Sequence, residues 1–388
     1  MWTKVPFYLA TTIRLFGVCL IAGILVIGKN ILVPLAFAVL LSILLLPINN
    51  WLEKRRLPRV AAILVCLIFS LILILSIIYF LSFQIAGFVS DMPAIKKQLL
   101  EHAHTIQVWV YKTFHISGTE QSAYFKNAAE KIKGEGMVQK TILSLKDVVV
   151  LMVLMPIYTF LILYYRPMIR KFFMDIFPDR HSEKVDSVLN KSKNIVQSYM
   201  AGLVIEMAIV ACLNAVGFLI IGIQYAIFLA VLAAVLNLIP YIGMLVANVF
   251  CMLVTLTTSQ NFSDIVWVGV VLLVVQFIDN NIMMPRMVGG KVKINSLITI
   301  LGVIVCGSLL GIGGMFLAIP FIAILKIILE KTDGLEPWGM LLGDEITMYE
   351  PSIIYRRLTT WRQKSKDIIP QKVELPPVEE TGSAKANQ

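Results

Sequence analysis

The sequence predicts an all-α protein that crosses a lipid bilayer several times, and three observations carry that prediction. Hydrophobic residues make up 58% of the 388-residue chain and charged residues only 15%, against about 45–50% and about 25% in ordinary globular chains. Mean hydropathy is +0.82. The apolar residues are gathered into runs of membrane-crossing length, with cations collected between them. An apolar excess of this size excludes a soluble enzyme, a disordered regulator and a fibrous protein. The net charge of +10 is better explained by cytoplasm-facing loops than by a nucleic-acid partner. The expected architecture is about five or six full spans plus two inverted re-entrant helical hairpins, roughly eight membrane segments in all.

The elements follow in order. Residues 1–90 read as three membrane helices: 8–28 and 31–50, turning at Gly28-Lys29-Asn30, and then 60–89. The first is not a cleaved secretory signal, because no small-residue cleavage site follows it and a second apolar run begins almost at once. Between the second and third lies the basic segment Trp51–Arg59. Residues 91–146 form a polar insert with helical patterning, long enough for two or three amphipathic helices outside the bilayer. Residues 147–198 hold a fourth membrane helix, ending near Tyr164-Tyr165-Arg166-Pro167, and a basic amphipathic segment at 166–197. Residues 332–388 are a cytoplasmic tail, amphipathic to about residue 369 and disordered by composition beyond.

Cations set the expected orientation. With the N-terminus inside, the segments 51–59, 166–197 and 285–293 and the tail all fall in the cytoplasm, as does every arginine. Both termini are then cytoplasmic. The lysines of the 91–146 insert would face outward, against the rule, but inserts near ~60 residues translocate with weaker regard for charge.

The C-terminal half does not divide into full helices. A span at 199–222 is followed by the run Ala226–Ile239, which at about 1.5 Å per residue reaches roughly 21 Å, short of the ~30 Å hydrocarbon core. It breaks at Asn237-Leu-Ile-Pro240-Tyr241-Ile-Gly243, and Met244–Thr258 is apolar again. Residues 199–258 therefore read as a span plus a hairpin inserted from outside. In 259–331, a span at 265–284 leads to the basic stretch 285–293. A second short run then breaks at Gly311-Ile-Gly313-Gly314 and returns past Pro320 to Lys331, a hairpin inserted from inside. Pro240, Gly243, Gly311, Gly313, Gly314 and Pro320 are the expected structural residues of the two breaks. Inverted units with short, Gly/Pro-interrupted segments in matching positions point to an alternating-access transporter, because freed backbone groups at membrane depth need protein or a wet cavity to satisfy them. The plainer alternative is a pair of kinked spanning helices.

Ionisable residues inside spans are expensive, about 2.5–3.5 kcal/mol on insertion scales, and mark candidate function. Glu206 and Asp279 are the two such acids in this half. Gln276, Asp279 and Asn280 share a helix face by i+3 and i+4 spacing, and a carboxylate among carboxamides suits a proton, a monovalent cation or a hydroxyl-rich solute. Asp279 also stands within two turns of Arg286 and can equally be read as a cytoplasmic-end residue that caps or pairs. Asn237 and Asn248 flank the first break, where side-chain amides can serve freed backbone or bind solute. Tyr241 completes the candidate pathway set of Glu206, Asn237, Tyr241, Gln276, Asp279 and Asn280. Gly302, Gly307 and Gly311 read as positions of close helix approach.

No catalytic residue, metal site or cofactor is expected, and the chain is read as a non-enzyme. There is no phosphate loop and no H-E-x-x-H. Cys19, Cys66, Cys212, Cys251 and Cys306 all lie in apolar runs and read as small hydrophobes.

Asn237-Leu-Ile-Pro-Tyr-Ile-Gly243 resembles a motif of the autoinducer-2 exporter (AI-2E) family of bacterial membrane proteins. Val33-Pro-Leu-Ala-Phe-Ala38 with Pro47 and Leu57-Pro-Arg59 is similar to the family's opening. Gln276 to Gly289 is similar to its Q-x-x-x-N-N-x-x-x-P-x-x-x-G segment, and Gly311 to Pro320, with Leu325, to its closing run. Met244 stands where members often carry proline, which makes this hairpin tip less rigid. The resemblance implies a multi-pass transporter of the bacterial inner membrane, oligomeric, with the lipid bilayer, a small solute or a monovalent cation or proton, and further copies of itself as partners. Members are assigned to autoinducer-2 export or to sodium or lithium/proton antiport. A non-transporting membrane scaffold is the remaining alternative.

Overall fold

A computed structural model describes residues 7–91, 136–177, 182–259, 261–284, 286 and 293–344, without the side chains of 7, 10, 14 and 136–149. Within these residues every regular element is a helix, and six are long and apolar enough to cross a membrane. Most of the expected 91–146 insert, most of the 285–293 turn and the tail beyond Asp344 lie outside the described residues.

Helix α1 runs unbroken from Phe7 to Lys54, a rod of about 72 Å, so the expected turn at Gly28-Lys29-Asn30 does not form. Glycine costs a helix about 1 kcal/mol relative to alanine, and Lys and Asn cost less. With no proline at the junction, two flanking apolar runs override that penalty. The correction leaves two helices rather than three in the first 90 residues and has a topological consequence. Putting the N-terminus on the same side as the 51–59 segment required that turn, whereas Phe7 and Lys54 are opposite ends of one rod. The chain reverses at Arg56, in a left-handed conformation (φ 69°), and Pro58 caps α2, Arg59–Ser90.

Helix α3, Gly136–Asp175, takes in the last part of the expected insert and continues through Pro167 instead of stopping there. It packs on α1 and α2 around Leu45, Ile63, Cys66, Leu67 and Leu163. Arg166 bonds Asn50 Oδ1 (2.6 Å) and Glu53 Oε2 (2.8 Å), and Arg59 donates to the Leu163 carbonyl (3.0 Å). Helix α4, Ser182–Ile221, fuses the expected basic segment and span into one helix. Gly222, at φ 79°, ends it by donating to the Phe218 carbonyl.

Helices α5, Ala226–Leu236 (11 residues), and α6, Ile242–Thr258 (17 residues), reach about 16 and 25 Å. They fold back on each other, with Cys251 Sγ of α6 3.8 Å from the Leu229 carbonyl of α5. This hairpin packs with α4 and with α7, Phe262–Ile278, around Phe218, Phe228, Cys251 and Val268. Helix α8, Ser296–Lys331, is two arms joined at Gly311, whose φ of 71° and ψ of −156° are not helical. The arms lie against each other: a Cβ on Gly302 would sit 2.2 Å from Ile322, one on Gly307 2.7 Å from Met315, and one on Gly314 2.2 Å from the Cys306 carbonyl oxygen. A continuous helix would hold the residues of the first pair about 30 Å apart, so the second unit is a helical hairpin too. Its only turn is at Gly311. Pro320, expected at the break, lies inside the second arm and is buried there, and Gly313 and Gly314 form that arm's first turn. Short α9, Glu336–Leu342, covers the start of α8, with Leu342 accepting from the Asn295 backbone at 3.1 Å.

Wide apolar faces stay exposed on these helices, such as Phe69, Ile72, Tyr79 and Phe83 on α2. That is the surface a hydrocarbon environment calls for, since lipid tails are as apolar as leucine.

Candidate functional site

Three elements converge on one buried polar cluster. The inward face of α4 repeats at helical spacing as Leu203, Glu206, Val210 and Asn214, which carries a carboxyl and a carboxamide into the core on an otherwise apolar stripe. Helix α7 widens after Ile278 into a π-turn over Asp279–Met283. Such turns often mark functional positions, and this one buries Asp279 and Met283 while Asn280 and Asn281 stay exposed. The break after α5 supplies Asn237, whose backbone closes that helix on the Ala233 carbonyl.

The side chains meet. Asn237 Nδ2 donates to Asp279 Oδ2 at 3.1 Å, and the Glu206 carboxyl lies near enough to Asp279 for the two charges to interact. Asp279 is 4% exposed and Glu206 8%. Two carboxylates side by side in a buried site repel each other, and a bound proton or cation relieves that repulsion. The nonpolar layer around the cluster is Val210, Ala234, Val275 and Met283. Burial in such a layer strengthens electrostatic interactions and penalises any unpaired charge.

Beside the cluster is a cavity of about 20 Å³, lined by Asn214, Asn237, Asn248, Gln276 and Asp279 on its polar side. A space of about 10–15 Å³ on this scale admits one water, so the cavity takes one water or one bare monovalent ion and no organic solute. Asn214 Oδ1 and Asp279 Oδ1 are buried with no hydrogen-bond partner among the described residues. Both residues line this cavity. Oxygen acceptors lacking donors fit a proton, a water or a hard cation. Among the described residues no group of three or more His, Cys, Asp or Glu could hold a metal ion.

A second, larger cavity of about 630 Å³ lies where the two hairpin breaks meet α1 and α3. Val235, Leu238 and Ile239 line it, while their neighbour Asn237 lines the small one. The first hairpin break is thus the wall between an ion-sized polar cavity and a solute-sized one.

The structure therefore brings together Glu206, Asn237, Gln276 and Asp279. Asp279 pairs into the core rather than acting as a cytoplasmic-end cap. Asn280 accepts from Gln276 Nε2 at 3.0 Å but is exposed, so the expected three-residue face is divided by the π-turn. Tyr241 is 49% exposed and lines neither cavity. Its role here is backbone, at φ 62° and ψ −52° in the break. Gly243 closes the same turn so tightly that a Cβ there would lie 1.7 Å from the Leu236 carbonyl oxygen. Sequence reasoning missed Asn214, although a carboxamide deep in an apolar span obeys the same rule that found Glu206. It also read Lys29 and Asn30 as a turn, whereas both line the larger cavity.

A multi-pass helical membrane protein with paired helical hairpins and a buried carboxyl cluster has the build of a membrane transport protein. The sequence comparisons agree: the chain belongs to the AI-2E family of transporters, whose family model, "AI-2E family transporter", matches residues 15–334. It is similar to "Putative transport protein YrrI" of Bacillus subtilis, 26% identical over 317 residues, covering 78% of this chain and 86% of that one. It is also similar to two proteins of Escherichia coli K12. "Putative transport protein YhhT" is 27% identical over 329 residues (84% and 91% of the two chains). "Putative permease PerM" is 26% identical over 319 residues (79% and 89%).

Proposed function

We propose that the protein is an ion-coupled secondary transporter of the bacterial inner membrane. In this reading the Glu206–Asp279 pair carries the coupling proton or monovalent cation, and the two hairpin breaks gate a small solute. The observation that carries it is the bond from Asn237, a residue of the hairpin break, to Asp279, which shares a contact with Glu206 beside an ion-sized cavity. A proton on the pair leaves one negative charge. Replacing that proton by a monovalent cation keeps the site's single negative charge while changing which oxygens Asn237 must satisfy. The hairpin break can then respond to occupancy, which alternating access requires.

Basic segments at 51–59 and 166–197 on the cytoplasmic side make the first hairpin enter from outside and the second from inside. With α1 as one rod crossing once, the same rule puts its N-terminal end outside and the C-terminal tail inside. The solute is a small organic molecule, of which an autoinducer-2-like furanosyl compound is one member. Sodium or lithium/proton antiport without an organic solute is the second reading, and the fit of the small cavity to a single ion favours it. A homo-oligomer is compatible with the exposed apolar face of α1.

The test uses the purified chain in sealed vesicles carrying an internal pH dye, with sodium, lithium or potassium added outside. Cation-dependent proton movement is expected for the wild type and its loss for both Glu206→Gln and Asp279→Asn. Unchanged proton movement in both variants would exclude the pair as the coupling site. A scaffold without transport predicts no movement in any chain.

A further inference from the structure

The larger cavity carries chemistry of its own. At about 630 Å³ it lies within the range of roughly 300–1,000 Å³ that holds organic ligands, far beyond what a bare ion fills. Its walls are mostly apolar, and Phe37 of α1 stacks on Phe316 of α8 with centroids 5.3 Å apart and planes 19° from parallel. Among the described residues lining it, Lys29 is the one charged residue, with Asn30 beside it and no acid. Gly311, Ile312 and Gly313 contribute the start of the second α8 arm, and a helix start presents backbone N–H groups and partial positive charge. The end of the first arm, at Leu310, offsets part of that field, which leaves the Lys29 ammonium as the net charge. The Asp279 carboxyl lies behind the hairpin wall, lining the other cavity.

We propose that this cavity binds an amphipathic organic anion, its apolar or ring body against Phe37 and Phe316 and its anionic group toward Lys29. This deepens the transporter reading by naming the solute class, and it rests on that reading for the claim that the occupant is carried rather than merely bound. A neutral polyhydroxylated solute would meet too few polar groups here, since among the described lining residues only Lys29 and Asn30 offer polar side chains. An organic cation would face Lys29 with nothing to compensate it.

Thiol chemistry tests the class without knowing the physiological solute. The full chain in nanodiscs, with exposed Cys19 and Cys212 replaced by serine, carries Ile312→Cys on one wall or, separately, Leu238→Cys on the other. Each thiol is reacted with an anionic (sulfonatoethyl) and a cationic (trimethylammonioethyl) methanethiosulfonate, with rates normalised to a free thiol in solution. The anionic reagent is expected to react about tenfold faster, the preference vanishing in Lys29→Gln and persisting in Lys29→Arg. Naphthalene-2-sulfonate is expected to protect both thiols, and naphthalenemethanol and a naphthyl trimethylammonium salt are not. Equal protection by all three, a rate preference that survives Lys29→Gln, or no modification by either reagent would overturn the assignment. None of these substitutions touches Glu206 or Asp279, so cation-dependent proton movement by the same proteins reports on the carboxyl pair separately. Intact movement with no anion preference defeats the solute class alone. Absent movement with the preference present defeats the coupling reading and leaves an anion-binding cavity.

Discussion

Replacing Asn237 by alanine removes the only N–H donor to the Asp279 carboxyl among the described residues, a bond of 3.1 Å to a residue that is 4% exposed. A hydrogen bond to a charged group contributes about 1.5–3 kcal/mol, and a buried acceptor left bare loses at least as much. Asp279 Oδ1 has no amide or hydroxyl donor to compensate, and the alanine methyl fills too little space to exclude a water. If the bond holds the hairpin break in one of two working states, its loss shifts that equilibrium by roughly one to two orders of magnitude. Cation-dependent proton movement in vesicles should fall by the same order. The double variant Asn237→Ala with Asp279→Asn should be no worse than Asp279→Asn alone, because both substitutions break one bond. Movement within twofold of wild type in Asn237→Ala would refute the reasoning. So would losses that multiply in the double variant, since they would mean that the two residues act independently.

Other expectations follow from close contacts. Gly314→Ala would drive a Cβ to 2.2 Å from the Cys306 backbone oxygen, whereas at Gly302 the obstacle is the flexible end of Ile322. Thermal stability in detergent should therefore drop for Gly314→Ala by about 1–3 kcal/mol and by clearly less for Gly302→Ala; equal tolerance would mean the arms of α8 do not fold back. Gly243→Ala, with its Cβ 1.7 Å from the Leu236 oxygen, should force open the first break and abolish transport even where expression is normal. At the end of α2, the Tyr225 hydroxyl donates to the Asp91 carboxylate. Burial first, and then that carboxylate, push the Tyr225 hydroxyl up to about 12. Because the folded value lies above the ordinary value near 10, the bond's contribution of about 1 kcal/mol is complete below pH 10. It is lost as pH rises from 10 through 12. Tyr225→Phe should lower stability at pH 8 and erase that alkaline dependence, as read from unfolding in a graded denaturant series.

The fold was legible wherever local chemistry decides it. Runs too short to cross, broken at Pro240 and at Gly311, marked where the chain folds back into two helical hairpins, because only special residues allow such turns. The break at Gly28-Lys29-Asn30 was misread for the opposite reason: none of those residues forbids a helix, and the cost of a glycine is small beside that of interrupting two long apolar runs. Pro320 was misplaced because a proline inside an apolar run looks the same in sequence whether it ends a helix or sits within one. The meeting of Glu206 with Asp279 follows from the packing of α4 on α7, which no local pattern encodes. The divided face at Gln276, Asp279 and Asn280 follows from the π-turn, whose extra residue per turn defeats a count at 3.6. Asn214 was within reach of the sequence, since a lone carboxamide in a span, though less costly than an acid, still needs a buried partner.

Infrared difference spectroscopy of the chain in lipid tests most directly whether the Glu206–Asp279 pair holds a proton. The wild type should show the carbonyl stretch of one buried protonated carboxyl, lost when the bound proton is displaced by the coupling cation and absent from Glu206→Gln with Asp279→Asn. The same band and the same cation response in that double variant would contradict a proton held between Glu206 and Asp279.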